Sequence, residues 1–152
     1  MTGAVVICLG NDLRGDDGAG LEVARRLRPL LPPGVDLVES DGDPAEIIDA
    51  WRGRPLAVVV DAVVSHAPPG TVHRHEGLDP PVTSRHSSHS LGLAEAAALG
   101  RALGRLPDAL LFYGIEAADL TLGAPVSPAA MTAAEAVADA VARALSAAPD
   151  RR

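Results

Sequence analysis

The chain of 152 residues contains no lysine, one cysteine and three aromatic residues, and each shortage excludes something. A single cysteine, Cys8, excludes an internal disulfide and a cysteine-based zinc cluster, and its place in a predicted buried strand indicates an inert thiol. Because Trp51, Phe112 and Tyr113 are the only aromatics, Ala, Val and Leu must fill the core. No apolar run approaches the roughly 20 residues that span a bilayer. The N-terminus also lacks a signal-peptide pattern, so we expect a cytoplasmic protein.

The charge balance is acidic, with 20 Asp and Glu against 13 Arg and a formal net charge of −7. Nucleic acids and anionic membranes attract basic surfaces, so the sequence predicts neither as a partner. The length is that of one globular domain, and we expect residues 1–152 to form it, with a frayed tail at residues 149–152.

Apolar runs and helical patterns alternate along the chain. Strands are predicted at residues 4–9, 35–40, 56–60, 71–76 and 110–115, and helices at residues 21–31, 45–51, 89–104 and 128–147. The run LAVVV at 56–60 is typical of a central parallel strand buried on both faces. This order predicts an α/β three-layer sandwich, in which a mostly parallel, twisted sheet of about five strands has helices on both faces. A mobile loop is predicted at residues 77–88.

The loop between the first strand and the first helix is GNDLRGDDGAG, residues 10–20. Ligands of open α/β sheets bind past the carboxyl ends of strands, which makes this loop a candidate site. It has no G-K-[ST] and no G-x-G-x-x-G, and its three carboxylates, Asp12, Asp16 and Asp17, repel phosphate and attract a cation. The loop therefore indicates a metal or electrophile site. The alternative is that Asp16 and Asp17 cap the helix that begins near Gly18.

Two further residues are expected at the same edge of the sheet as Asp17. Asp61 follows the predicted central strand, and His89 begins a helix after a flexible loop. Two carboxylates and one imidazole suit a divalent transition metal with an open coordination position. Each residue also has a structural alternative, as a cap, a strand-end hydrogen-bonding group or a helix-start residue. For Asp61 this alternative is costly unless the charge is paired.

The remaining histidines compete with His89 as metal ligands: His66, His73, His75 and His86. The segment HRHE, residues 73–76, offers a metal site of its own, although an exposed edge strand with alternating polar residues explains it equally well. No Ser-His-Asp or Cys-His arrangement stands out, and neither G-x-S-x-G nor H-E-x-x-H is present.

Three motifs together resemble the hydrogenase maturation protease family. They are GNDLRGDDGAG at 10–20, VVVDAV at 58–63 and HSLGLAEA at 89–96. Members of this family are endopeptidases that trim the C-terminal extension from the large subunit of [NiFe]-hydrogenases. The resemblance runs in order from about residue 5 to about residue 142 and includes FYGIEAADLTLG at 112–123. It implies an α/β sandwich around a mostly parallel sheet.

The resemblance also implies site residues and a partner. The family's metal-contacting positions match Asp17, Asp61 and His89, and its substrate is a hydrogenase large-subunit precursor. The nickel is carried by that substrate, so no permanent cofactor is expected, although zinc or cadmium can substitute in vitro. We assign Asp17 to metal contact and take Asp61 or Asp41 as the general base, with Asp41 and Gly42 also contacting substrate.

One segment departs from the family pattern. Many members have DGGT after the second strand, whereas this chain has Asp41, Gly42, Asp43 and Pro44. The change removes a glycine able to adopt positive φ and a threonine hydroxyl, so it bears on substrate specificity more than on the fold.

The residues leave other functions open. A non-catalytic nickel-binding or metallochaperone module would use the same three ligands. A self-sufficient zinc-dependent amide hydrolase would hold its own metal. A nucleotide-binding domain is disfavoured by the acidic first loop.

Overall fold

The computed structural model describes residues 3–79 and 88–147, which form a layer of helices on each face of a five-stranded sheet. The strands are β1 Val5–Leu9, β2 Asp36–Ser40, β3 Ala57–Val63, β4 Val72–Glu76 and β5 Leu110–Glu116. The helices are α1 Ala19–Leu27, α2 Pro44–Trp51, α3 Ser88–Leu103 and α4 Pro128–Ala147. The strand order is β2-β1-β3-β5-β4, and every pair is parallel except the edge pair β4–β5. The predicted three-layer α/β sandwich is confirmed.

Successive strand residues point to opposite faces of the sheet, so the strands supply two cores. On one face, Val6 and Val58 pack with residues of α1 and α4. On the other face, Ile7 and Val59 pack with residues of α2 and α3. Cys8 is fully buried in the first core, where burial, followed by the nearby Glu39 charge, raises the pKa of its thiol to about 12. The thiol therefore stays protonated, as predicted for an inert core cysteine.

Strand β3 is the middle strand and is buried along its whole length, as its apolar run predicts. The sequence predicts that this strand ends at residue 60, just before Asp61, but β3 extends to Val63. The backbone continues to pair with β5 through Asp61 opposite Gly114 and on to Val63 opposite Glu116. On its other side, pairing with β1 stops at Val60, so Asp61 lies just past the end of that ladder.

Helix α2 begins at Pro44, one residue before its predicted start. Asp43 is the N-cap residue, and its carboxylate accepts a hydrogen bond of 3.0 Å from the backbone N–H of Ala45. Pro44 follows at the first helical position, where its fixed φ favours the helix and its missing N–H costs nothing. The departure from DGGT therefore has a local structural use, which is to start α2.

Helix α1 begins two residues before the predicted start and ends at Leu27, followed by a 3-10 turn at Arg28–Leu30. Strand β4 is the predicted edge strand, with exposure alternating along it. Most of the predicted mobile loop, residues 80–87, lies outside the described residues, as does the predicted frayed tail. Within the described part of the chain, no helix is both long and apolar enough to cross a membrane.

Candidate functional site

Four loops meet at one edge of the sheet because β1, β2, β3 and β5 are parallel and end there together. The loop after β1 contains Asp17 and the loop after β2 contains Asp41 and Gly42, while Asp61 lies near the end of β3 itself. This is the edge at which open α/β sheets bind ligands. The fold thus places the three predicted carboxylates in neighbouring segments.

Asp17 lies in a short 3-10 helix, Gly15–Gly18, that contacts β3 directly. The contact is close because Gly20 has no side chain. A Cβ atom there would overlap the carbonyl oxygen of Leu9 and lie 3.2 Å from that of Val60. Val60 immediately precedes Asp61, so the start of α1 brings the segment of Asp17 against the segment of Asp61. This close approach explains why the last residue of the motif, Gly20, is a glycine.

The backbone of Asp17 is fixed by hydrogen bonds within its own loop. Its N–H donates to the carbonyl of Arg14, and its carbonyl accepts from the N–H of Asn11, each at 3.0 Å. The carbonyl also lies over Gly10, where a Cβ atom would be only 2.5 Å away. The residue as a whole is 7% exposed, so it is largely surrounded by protein.

Asp61 is 1% exposed, and its Oδ1 accepts a hydrogen bond of 2.8 Å from the N–H of Ala62. A buried carboxylate is costly unless its charge is compensated. Asp17 and Asp61 thus place two largely buried carboxylates on contacting segments, and carboxylate oxygens are ligands that divalent cations accept.

Asp41 and Gly42 follow β2 in a turn that Ser40 organises. The Gly42 N–H donates to Ser40 Oγ at 3.1 Å, and Ser40 Oγ donates to Glu46 at 2.7 Å. Gly42 has a φ of 106°, a conformation that favours glycine. Asp41, unlike Asp17 and Asp61, is exposed.

The first turns of α3 lie against this turn. A Cβ atom on Gly92 would overlap the carbonyl oxygen of Gly42, so the two backbones are in direct contact. His89 lies one turn earlier in α3, and its side chain is outside the described part of the structure. The structure thus brings the backbone carrying His89 to the same edge, and its role as a ligand stays a prediction.

Asp16 has a structural role that the sequence did not indicate. Its carboxylate accepts hydrogen bonds from the loop after β5 and from the residue before α4, which is Ser127. The N-cap position of α1 is taken by Gly18, which has no side chain. The alternative that Asp16 caps α1 is therefore wrong. A carboxylate that receives its donors from residues more than one hundred positions away leaves no local pattern in the sequence.

A sequence model described as hydrogenase maturation protease matches residues 21–147 of the chain. The chain belongs to the hydrogenase maturation protease family. The match includes Asp41, Asp61 and His89 but begins after Asp17. The resemblance stated from the motifs is thereby confirmed.

Two relatives support the assignment to the hydrogenase maturation protease family. Hydrogenase expression/formation protein HupD of Thiocapsa roseopersicina is 31% identical over 121 residues, which are 76% of this chain and 55% of that protein. The Hydrogenase 2 maturation protease of Escherichia coli (strain K12) is 29% identical over 116 residues, covering 73% of this chain and 71% of that one. The chain thus spans about half the length of the Thiocapsa relative.

Solved structures of the family share the fold. The hydrogenase maturating endopeptidase HybD from Escherichia coli superimposes with a TM-score of 0.85 at 25% identity, covering 97% of this chain and 93% of that chain. The [NiFe] hydrogenase maturation protease HybD from Thermococcus kodakarensis gives a TM-score of 0.73 at 27% identity, covering 95% and 99%. The sandwich described above is therefore the fold of these maturation proteases.

A second cluster of polar side chains, formed by Ser65, His73 and Glu116, lies at the same edge of the sheet, on the side of β3 that faces β5. The Glu116 side chain accepts hydrogen bonds from the Ser65 N–H at 2.8 Å and from Ser65 Oγ at 2.6 Å, and it contacts His73 Nε2 at 2.9 Å. His75 Nε2 instead lies 3.0 Å from the carbonyl oxygen of Asp79. The two HRHE histidines thus have separate partners. Among the side chains that the structure describes, which do not include that of His89, no group of three or more His, Cys, Asp or Glu is placed to hold a metal ion.

Replacing Glu116 by glutamine is expected to destabilise the fold by about 1–3 kcal/mol near pH 6, because charged hydrogen bonds are lost in a buried place. Burial alone raises the pKa of Glu116, but the hydrogen bonds from Ser65 and His73 outweigh it and lower the pKa overall. The carboxylate therefore stabilises the fold above its unfolded-state pKa of about 4.3. This contribution is lost as the pH falls toward the lower folded-state value.

Thermal unfolding of wild type and Glu116→Gln from pH 6 to pH 3 measures this difference. The gap in melting temperature is expected to close at acid pH. Glu76→Gln is the matched control, because Glu76 is 70% exposed on the neighbouring edge strand, and its stability should change by less than about 0.5 kcal/mol. A gap that stays constant down to pH 3 would contradict the ionised Glu116.

Proposed function

We propose that the chain is an endopeptidase that removes the C-terminal extension of a [NiFe]-hydrogenase large-subunit precursor after nickel insertion. In this proposal the enzyme recognises the nickel that the substrate carries and holds no permanent metal of its own. Zinc or cadmium would occupy the same ligands in vitro. The proposed partner is the precursor, and the cytoplasmic location stays a prediction.

The observation that carries the proposal is the contact, at one sheet edge in a member of this family, between the segments that contain Asp17 and Asp61. Both carboxylates are largely buried, and the turn that holds one contacts the strand that holds the other. Such a pair favours a cation over an anionic ligand. The relative named Hydrogenase 2 maturation protease supports hydrogenase processing as the context.

We assign Asp17, Asp61 and His89 to contact with the substrate's nickel. Two carboxylates and an imidazole form an incomplete set of hard and borderline donors. Such a set senses a metal held mainly by the thiolates of the precursor. Cleavage is then confined to precursors that have received nickel, because the metal itself orients the scissile peptide at the site.

We assign Asp41 as the general base, because it is the exposed carboxylate of the three and a base must reach a solvent water molecule. The Asp41 carboxylate takes one proton from the water, whose oxygen forms a bond to the scissile carbonyl carbon. When the C–N bond breaks, the leaving amine receives that proton. The products are the trimmed large subunit, with a free carboxyl group, and the released C-terminal peptide.

The turn at Asp41 and Gly42 is the proposed contact for the substrate backbone. Asp41 is the exposed residue of this turn, whereas Gly42 is buried against the first turns of α3 and sets the shape of the turn through its positive φ. Asp43 and Pro44 replace the common Gly-Thr and are used to start α2. We propose that this difference sets which hydrogenase class is processed.

The test is to mix the protein with its nickel-loaded precursor and follow intact masses. A single discrete C-terminal loss from the precursor supports the endopeptidase. An unchanged precursor, with nickel still bound by the isolated protein, would point instead to a non-catalytic nickel-binding module. Tight stoichiometric zinc in the purified protein, with chelator-sensitive cleavage of ordinary peptides, would indicate a zinc-dependent amide hydrolase.

A further inference from the structure

Asp16 is a fully buried carboxylate that the proposed chemistry does not use. Its Oδ2 accepts from the N–H of Ala118 at 2.6 Å, the N–H of Asp119 at 3.2 Å and the hydroxyl of Ser127 at 2.8 Å, and its Oδ1 accepts from the N–H of Ser127 at 2.6 Å. Charged hydrogen bonds of this kind are among the strongest in proteins. Four donors on one carboxylate compensate for the cost of burying it.

Backbone hydrogen bonds join the same two loops. The Asp16 N–H donates to the carbonyl of Asp119 at 2.8 Å, the Gly15 N–H donates to that of Ala124 at 3.1 Å, and the Gly123 N–H donates to that of Leu13 at 2.7 Å. The contact at Gly15 is also tight, because a Cβ atom there would overlap the carbonyl oxygen of Asp119. The middle of the loop after β1, from Leu13 to Asp16, is thus held against residues 117–127.

Ser127 connects this arrangement to α4. Its hydroxyl donates to Asp16 and also accepts from the N–H of Ala130 in the first turn of α4, at 3.3 Å. The helix start and the loop after β1 therefore share one buried carboxylate. Movement of either is opposed by the loss of a charged hydrogen bond.

From these contacts we propose that Asp16 is a positioning residue, which fixes the turn that presents the adjacent Asp17 to the substrate. Asp17 is the next residue along the chain, and its N–H and carbonyl are bonded within the same turn, to Arg14 and Asn11. Loss of the Asp16 hydrogen bonds releases one end of that turn. This inference rests on the proposed function for its catalytic consequence, but the placement of Asp17 is measurable without substrate.

The substrate-free test is amide hydrogen exchange, measured by NMR on wild type and Asp16→Asn. The N–H groups of Asn11, Asp17 and Ser127 are expected to exchange at least about tenfold faster in the variant, because their hydrogen bonds open more often. The control is Glu116→Gln, which alters an equally buried carboxylate that bonds a different loop. Unchanged exchange at Asn11 and Asp17 in a folded Asp16→Asn protein overturns the proposal.

The catalytic test compares steady-state cleavage of the nickel-loaded precursor. Asp16→Asn is expected to lower kcat about 100-fold, since a displacement of about 1 Å in a catalytic group has that order of effect, and to change KM by less than about threefold. Glu116→Gln, compared at a temperature where both variants are folded, is expected to keep kcat within about threefold. Equal losses of kcat in the two variants would reduce Asp16 to a stability role and overturn the proposal.

Ser127→Ala keeps the proposal testable if Asp16→Asn does not fold. It removes one of the four donors, so a smaller fall in kcat is expected, of about three- to tenfold, with Ser127→Thr restoring activity because it keeps the hydroxyl. Full activity in Ser127→Ala, or failure of Ser127→Thr to restore activity, would contradict the positioning role of Asp16. If the wild-type protein does not cleave the precursor, only the proposed function is refuted. The amide exchange rates then decide whether Asp16 positions Asp17.

Discussion

Replacing Asp17 by asparagine is expected to lower cleavage of the nickel-loaded precursor about 100-fold, because the precursor loses a contact that orients its scissile peptide. Asparagine has nearly the same shape, so the turn that holds Asp17 against β3 is preserved. Asparagine has no negative charge, however, and the attraction between this edge of the sheet and nickel falls with it. The measurement is single-turnover cleavage followed by intact mass, with circular dichroism to verify folding.

Asp12→Asn is the matched control for Asp17→Asn. Asp12 lies in the same loop and carries the same charge, but its side chain is 57% exposed and contacts Arg25 at 3.7 Å. Its cleavage rate is expected to stay within about twofold of wild type, because exposed ion pairs contribute little. Equal losses for Asp12→Asn and Asp17→Asn would indicate that overall acidity of the loop matters, and the assignment of Asp17 to the metal would be wrong.

The second large effect is expected from Gly92→Ala. The added methyl group would overlap the carbonyl oxygen of Gly42 and push the start of α3, with His89, away from the turn of Asp41. Such overpacking costs about 1–3 kcal/mol, although alanine favours a helix by about 1 kcal/mol over glycine. Cleavage is expected to fall about 100-fold, because two groups of the site are separated.

Gly100→Ala separates loss of stability from loss of the site. Gly100 lies in the same helix, and a Cβ atom there would be 2.9 Å from the carbonyl oxygen of Arg105, which is also too close. We expect a smaller fall in melting temperature than in Gly92→Ala, because this clash is milder, and nearly unchanged cleavage, because the contact is remote from Gly42. If Gly92→Ala cleaves as well as Gly100→Ala, the contact of α3 with the Gly42 turn has no part in the site.

The three-layer fold could be predicted because the apolar runs and helical patterns that specify its strands and helices are local features of the sequence. The run at residues 56–60 is apolar on both faces, and it forms the middle strand. The end of that strand was misplaced because a charged residue, Asp61, normally marks the exit from a buried strand. Pairing with Gly114 extends β3 past it, and pairing of that kind depends on a strand fifty residues later in the chain.

The candidate site was predictable only as far as topology allows. Parallel strands bring the segments of Asp17, Asp41 and Asp61 to one edge, and the chain order is enough to expect this. The buried carboxylates Asp16 and Glu116 gave no comparable indication. Each is defined by partners far along the chain, Ser127 for Asp16 and Ser65 for Glu116. Such contacts appear only when the fold is known.

The central claim is that the metal needed for cleavage comes with the substrate. Its most direct test is to strip the enzyme and the precursor of metal separately, reload each with nickel or zinc, and mix them in all combinations. Cleavage is expected whenever the precursor carries nickel, whatever the earlier metal content of the enzyme, and absent from every nickel-free precursor. Cleavage of a nickel-free precursor by a zinc-loaded enzyme would contradict the claim and indicate a metalloprotease that holds its own catalytic ion.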